Sequence, residues 1–140
     1  MKNYLKNVFR TLFSRKVRPL TGAPPIRRQK TYSAQSGYVY QYYYEGHHPF
    51  RAAGETGTEF VFTISADRKN AHPTGVLLSD EAVAAWEAEH ERELSPTERY
   101  AVAKMALFQA FDERRAPADM RQQVRVRPAD LEAIVETLGL

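Results

Sequence analysis

Cysteine is absent from the 140 residues of this chain. Disulfide frameworks, thiolate zinc sites and cysteine nucleophiles are therefore excluded, and the composition fits the cytoplasm or another reducing compartment. Long apolar runs are also missing. The longest, Ala82 to Trp86, has five residues, whereas a membrane-spanning helix needs about 20. We therefore predict no transmembrane segment, while peripheral association with a membrane stays compatible with the sequence.

Linear motifs of catalysis are missing too. The sequence has no G-x-S-x-G, P-loop, dinucleotide fingerprint or H-E-x-x-H spacing. His47 and His48 are adjacent, but His72 and His90 lie far from them, so we predict no metal site and no cofactor. These features favour a non-catalytic protein. A small enzyme with a histidine-containing loop at 46–57 is an alternative, because many active sites have no linear signature.

Acidic residues are missing from the first 44 positions. That segment holds nine of the 20 bases, whereas residues 45–140 hold the other 11 together with all 17 acids, a net charge of −6. Such an asymmetry indicates two parts with separate roles. We predict a basic arm and linker over residues 1–30 and a compact domain over residues 31–140. Proline and glycine between positions 19 and 25 favour an extended linker.

The arm has the pattern of an amphipathic helix over residues 2–15. Apolar residues recur as adjacent pairs every four positions, and basic residues fall on the opposite face. A basic amphipathic helix is typical of segments that dock onto an anionic membrane or into a groove of a partner protein. The predicted partner-binding residues are Lys2, Leu5, Lys6, Phe9, Arg10, Leu12, Phe13, Arg15, Lys16, Arg18, Arg27, Arg28 and Lys30.

These observations favour a non-catalytic accessory subunit or peripheral adaptor that docks through the arm onto a larger protein assembly or an anionic membrane surface. Two other interpretations of the arm stay open. It resembles an organellar transit peptide in being basic, amphipathic and free of acids. It could also fold back onto its own domain, which would leave its basic residues solvated.

The remaining sequence predicts an α+β domain. Ser95, Pro96 and Glu98 form a helix-start signature ahead of an apolar segment, which predicts a central buried helix over residues 96–114. Strands are predicted at 36–45, 58–65, 75–78 and 123–127, with further helices at 80–90 and 128–138. We expect a small antiparallel sheet of three to four strands with the helices packed on one face.

Tyrosines alternate along the first predicted strand. Tyr38, Tyr40, Tyr42 and Tyr44 share one face of it. An aromatic strand face beside a basic linker could stack unpaired bases, so RNA binding is an alternative function. Core packing explains the same stripe, because tyrosine rings cover a large apolar area.

Overall fold

The computed structural model of the protein describes residues 19–140. The predicted N-terminal helix at 2–15 lies outside these residues. The described chain is an α+β domain with three α-helices and a five-stranded sheet. Its elements are β1 (Lys30–Ser33), β2 (Val39–Ala52), β3 (Glu55–Ser65), β4 (His72–Ser79), α1 (Asp80–His90), α2 (Pro96–Glu113), a 3₁₀ turn (Pro117–Arg121), β5 (Val124–Val126) and α3 (Pro128–Leu138).

The sheet is mixed, with its strands in sequence order from β1 to β5. Strands β1 to β4 are antiparallel, whereas β5 runs parallel to β4, with Val76 opposite Val124 and Leu78 opposite Val126. The α+β class is confirmed. The expected all-antiparallel sheet of three to four strands is corrected to five strands with one parallel edge. Parallel neighbours need a long crossover connection, and here the chain between Ser79 and Val124, with its helices α1 and α2, provides it.

The predicted loop at 46–57 is wrong, because these residues form a long β-hairpin. Strand β2 continues to Ala52, and β3 begins at Glu55. The two connecting residues, Ala53 and Gly54, have φ of 52° and 80°. Positive φ at both positions is the geometry of the type I′ turn, one of the two favoured turns of two-residue hairpin loops. The glycines, proline and histidines from which the loop was predicted therefore lie in this hairpin.

A β-bulge in β2 decides which side chains share a face. Tyr44 pairs with Phe62 and Gly46 pairs with Val61, so Glu45 is the additional residue. His47 pairs with Phe60 after the bulge. Without the additional residue, His47 would lie on the face opposite Tyr44. The bulge therefore places His47 on the same face as the tyrosines.

Helix α2 is capped as its sequence predicts. The Ser95 hydroxyl accepts from the Glu98 amide at 3.1 Å, and the Glu98 carboxylate accepts from the Ser95 amide at 2.9 Å. The predicted central helix over 96–114 is therefore confirmed, with its last helical residue at Glu113. Its side chains Val102, Ala103, Ala106, Leu107, Ala110 and Phe111 are buried.

The main core lies between one face of the sheet and the three helices. Alternate strand residues such as Tyr40, Phe62 and Val76 pack there against the helices. Aromatic rings join the layers: Phe111 stacks on Tyr40 at 4.1 Å between centroids, and Phe108 stacks on Tyr32 at 4.3 Å. This packing fixes α2 across β1 and β2, so its N-terminal turn lies near the bulged part of β2.

Candidate functional site

Most of the predicted partner-binding residues cannot be placed. Lys2, Leu5, Lys6, Phe9, Arg10, Leu12, Phe13, Arg15, Lys16 and Arg18 lie outside the described residues. Arg27, Arg28 and Lys30 are described, and all three are exposed. They belong to a segment over residues 21–30, here called the strap, which crosses the edge of β2 and ends at the first residue of β1.

Two attachments fix the strap to β2. The Thr21 and His47 backbones exchange hydrogen bonds of 2.8 Å in both directions. Further along, the Arg27 guanidinium donates to both oxygens of Glu45 at 2.9 Å and lies 3.8 Å from the centroid of the Tyr43 ring. Glu45 also accepts from the Thr63 hydroxyl at 2.6 Å. Arg27 therefore holds the strap, and the hydrogen bond to Glu45 raises the pKa of Arg27.

The predicted tyrosine stripe is divided between core and surface. Tyr40 and Tyr42 are buried, with 0% and 4% of their surface exposed, whereas Tyr38 is 40% exposed. Tyr44 is half-buried. The buried pair packs against α2, so the stripe does not form a continuous platform on which several bases could stack. The core-packing interpretation holds for Tyr40 and Tyr42.

A cavity of about 840 Å³ lies between the strap, the bulged part of β2 and the start of α2. Its apolar lining includes Tyr42, Tyr44, Phe60 and Tyr100. Tyr44 lies 4.6 Å from Tyr100 between ring centroids, and the planes are tilted by 53°. The volume lies within the range of about 300–1,000 Å³ that is typical of small-molecule sites.

The charged groups that line the cavity are all basic or histidine. Arg28 and Lys30 come from the strap, and Arg99 comes from the first turn of α2. Among the described residues, no aspartate or glutamate lines the cavity. Arg28 and Lys30 form no salt bridge within residues 19–140. Arg99 is paired with Glu87 at 3.4 Å, so the uncompensated positive charge of the site comes from Arg28 and Lys30.

Lys104 extends the basic surface along α2. Burial lowers the pKa of Lys104, and the nearby charge of Lys30 lowers it further. The Lys104 ammonium also lies 5.8 Å from the centroid of the Phe108 ring. Two like charges held this close are stabilised when an anion binds beside them.

Three tyrosines of the cavity lining carry hydroxyl groups. Within the described chain, Tyr42, Tyr44 and Tyr100 have no hydrogen-bond partner for these groups. Burial raises the pKa of Tyr42 to about 12 and also raises the pKa values of Tyr44 and Tyr100. The hydroxyls stay protonated at neutral pH, so each can donate a hydrogen bond to a ligand.

His47 lies at the junction of the strap and the cavity. Its Nδ1 is 3.0 Å from the Thr21 hydroxyl, and its ring meets Phe60 edge to face at 5.7 Å. Burial is the main cause that lowers the pKa of His47, and the adjacent His48 contributes. The ring is therefore neutral at pH 7 and can serve as one donor and one acceptor.

The histidines of the predicted loop do not form one site. His48 Nε2 lies 2.8 Å from Glu59, and His48 Nδ1 lies 2.8 Å from the Pro49 carbonyl. Neighbouring residues of a strand point to opposite faces, so the His47 and His48 rings diverge although both residues line the cavity. His72 contacts the Pro73 carbonyl in β4.

A separate group of three exposed residues, Glu89, His90 and Glu132, brings its side chains within reach of a single ion. His90 Nε2 lies 2.9 Å from a Glu132 carboxylate oxygen. The His90 ring stacks on the Trp86 ring with 4.4 Å between centroids. These contacts join α1 to α3 at the surface. They account for the arrangement as a hydrogen bond between two helices.

The cavity draws on residues that sequence reasoning did not combine. The sequence predicts Arg28 and Lys30 as partner-binding residues, whereas it predicts Arg99 and Tyr100 only as part of the central helix. Arg99 and Tyr100 lie some 70 positions from the strap in the sequence. The bulge in β2 and the docking of α2 bring them to the same cavity. An arginine and a tyrosine in the first turns of a capped helix are the only sequence signal.

Searches against protein-family models, curated proteins and solved structures find no match to this chain. A function can therefore be derived only from its own residues. No α-helix within residues 19–140 has the length and apolar content needed to cross a bilayer.

Proposed function

We propose that the protein is a non-catalytic accessory subunit or peripheral adaptor, which docks through its basic N-terminal arm onto an anionic surface. The observation that carries this proposal is the charge asymmetry: nine bases and no acid in the first 44 residues, followed by a segment of net charge −6. The docking surface is a larger protein assembly or an anionic membrane. Of these, the membrane is favoured because basic residues alternate with paired apolar ones.

The surface of the described domain supports an anionic partner. Arg28 and Lys30 are exposed in the strap and continue the positive charge of the arm. Lys30 lies close enough to Lys104 to affect its pKa, and Arg99 lines the same cavity as Arg28. Among the described residues, the positive region therefore extends across the strap and onto α2.

The energies of docking are sufficient for reversible attachment. Each buried leucine or phenylalanine of the arm contributes about 1.5–3 kcal/mol before ordering costs. Each basic residue adds about 1 kcal/mol at an anionic membrane, and salt reduces this contribution. Four apolar residues, Leu5, Phe9, Leu12 and Phe13, share the predicted apolar face. Attachment should therefore weaken when either set of residues is altered.

Co-sedimentation of the full-length protein with vesicles tests the proposal. Vesicles of phosphatidylcholine with and without phosphatidylserine are compared at low and high salt. We expect binding to the anionic vesicles only, and a decrease in binding as salt rises. The triple variant Lys6→Glu, Arg10→Glu and Arg15→Glu should lose this binding.

A matched triple variant controls for the change in net charge. Arg51, Arg68 and Lys69 are exposed on the hairpin and on the turn after β3. Their replacement by glutamate should leave vesicle binding largely intact. Equal losses for the two triple variants would contradict docking through the arm. Docking into a groove of a protein would instead respond more to Phe9→Ala and Leu12→Ala than to charge reversal.

A further inference from the structure

We propose that the cavity beneath the strap binds one small organic anion, with a planar ring system as its body and a carboxylate, sulfonate or phosphate as its charged group. The site shares Arg28 and Lys30 with the proposed docking surface, but the ligand assignment does not rest on docking through residues 1–18. The cavity has about 840 Å³ of space, which is enough for a molecule of several fused or linked rings.

The aromatic lining selects the shape of the ligand. Tyr42, Tyr44, Tyr100 and Phe60 present rings to the same space. Tyr44 and Tyr100 are tilted against each other rather than stacked face to face, so both keep ring surface for a third ring. Aromatic rings associate at centroid separations of about 4.5–7 Å in offset or edge-to-face arrangements. A planar ligand can satisfy such contacts with several walls at once.

The basic residues select the charge of the ligand. Arg28 and Lys30 have no carboxylate partner within the described part of the chain. Arg99 donates through Nε to the Leu94 carbonyl at 3.2 Å and through Nη2 to Glu87 at 3.4 Å, which leaves Nη1 without a partner in residues 19–140. Arg28 and Lys30 beside a space that no acid lines would repel a cationic ligand and stabilise an anion, and Arg99 adds a hydrogen-bond donor.

The tyrosine hydroxyls add directional donors. Those of Tyr42, Tyr44 and Tyr100 have no partner in the described chain, and burial keeps them in the protonated form. Hydrogen bonds to an ionised acceptor are stronger than those to a neutral one. An anionic group between the strap cations and these hydroxyls would therefore satisfy donors that the protein itself leaves free.

Two fluorescent probes that differ by one charged group test this assignment. Anilinonaphthalene sulfonate carries a sulfonate, and phenylnaphthylamine has the same ring system without it. Titration of the full-length protein should show one binding site for the sulfonate, with an affinity about tenfold higher than that for the uncharged probe, as expected for one favourable charge interaction. Equal affinities, or binding of the sulfonate at many weak sites, would overturn the proposal.

Paired variants then locate the site. The double variant Arg28→Gln and Lys30→Gln should bind the sulfonate about tenfold more weakly while its affinity for the uncharged probe stays the same. The control is Arg68→Gln with Lys69→Gln, which removes two exposed cations from the turn after β3 and should change neither affinity. If the control loses as much sulfonate affinity as the strap variant, binding follows net charge, and the site is wrong.

A third variant tests the aromatic wall. Tyr100→Leu keeps apolar volume but removes the ring and the hydroxyl, so it should weaken both probes by about tenfold. Thermal unfolding of each variant guards against probe binding to loosely packed protein, which also enhances the fluorescence of the sulfonate. Unchanged binding of both probes to a folded Tyr100→Leu variant would place them outside this cavity and overturn the assignment.

Discussion

At the scale of single residues, Gly46 decides whether the strap can attach. Its φ is +119°, and a Cβ atom there would lie only 2.6 Å from the Thr21 carbonyl oxygen. Gly46→Ala therefore introduces both backbone strain and a contact with backbone that cannot rotate away. We expect it to lower the free energy of unfolding in urea more than a glycine substitution that introduces strain alone.

Gly37 provides that comparison. Its φ is +95°, and a Cβ atom there would meet nothing within 4 Å. Gly37→Ala should cost about 1–2 kcal/mol for the left-handed backbone alone. Gly46→Ala should cost about 1–3 kcal/mol more, the usual penalty for overpacking. Equal costs for the two variants would show that the strap moves away freely.

His72 makes stability depend on pH. Its side chain is buried in β4, and burial is the main cause that lowers its pKa, with the charge of Arg121 adding to the effect. Above pH 6.5 the ring is neutral in both folded and unfolded chains. As pH falls below about 6.5, the unfolded chain takes up a proton that the folded chain does not, so stability falls.

The measurement is the urea midpoint of wild type and of His72→Gln between pH 7.5 and pH 5. Wild type should lose stability over this interval, and the variant should lose less because one titrating group is gone. The criterion is the change of the urea midpoint with pH, not the absolute stability of the His72→Gln variant, because glutamine also changes packing. Identical dependence on pH in the two proteins would show that His72 titrates alike in both states.

At the scale of elements, Asp112 joins the end of α2 to the turn between β1 and β2. It accepts from the Tyr32 hydroxyl at 2.8 Å and from the Gln35 amide at 2.9 Å. Asp112→Ala leaves both donors without this partner and should lower the free energy of unfolding by about 1–3 kcal/mol. Hydrogen exchange should become faster in β1, because this edge strand pairs with β2 alone.

The neighbouring Glu113 is the matched control for this carboxylate. It is exposed and forms no hydrogen bond or salt bridge with a described residue. Glu113→Ala should therefore change stability by less than about 0.5 kcal/mol. If the two variants behave alike, the link between α2 and β1 contributes nothing beyond the general charge of the helix end.

Elements with local start and stop signals could be predicted from the sequence. The caps of α1 and α2 and the left-handed Gly139 after α3 are all where short-range chemistry places them. Strand β5 was found, but its parallel pairing with β4 was not. A strand of three residues carries too little pattern to specify its partner, and that pairing depends on how α1 and α2 cross the sheet.

The candidate site was harder to predict, because it depends on one irregularity. The alternation of tyrosines correctly predicts that Tyr40 and Tyr42 share the core face of β2. The two-residue alternation is interrupted at Glu45. The bulge there changes the face of every later residue in β2, which brings His47 beside Tyr44. The basic strap was recognised by composition alone. Nothing local indicates that it would lie opposite Arg99 and Tyr100, since that contact is made by tertiary packing.

At the scale of the whole molecule, the core among the described residues joins one face of the sheet to the three helices. Its buried cluster runs from Tyr40 to Val135, with partly buried neighbours from Tyr32 to Leu138. Two further apolar side chains, Val61 and Leu77, are buried outside that cluster, on the other face of the sheet. We predict that stability of the domain depends mainly on residues after 30, and attachment mainly on residues before it.

Deletion of residues 1–18 tests this division. The deletion removes six bases and no acid, so the net charge of +3 becomes −3. Binding to anionic vesicles should be lost, because attraction becomes repulsion. Thermal unfolding should shift by less than about 3 °C, which corresponds to under about 1 kcal/mol in a domain of this size. A larger shift would mean that the deleted segment packs on the domain, since covering a valine or leucine contributes about 1.5–3 kcal/mol. In that case the arm would be a structural part of the fold, and the proposed adaptor role would fail together with the division on which it rests.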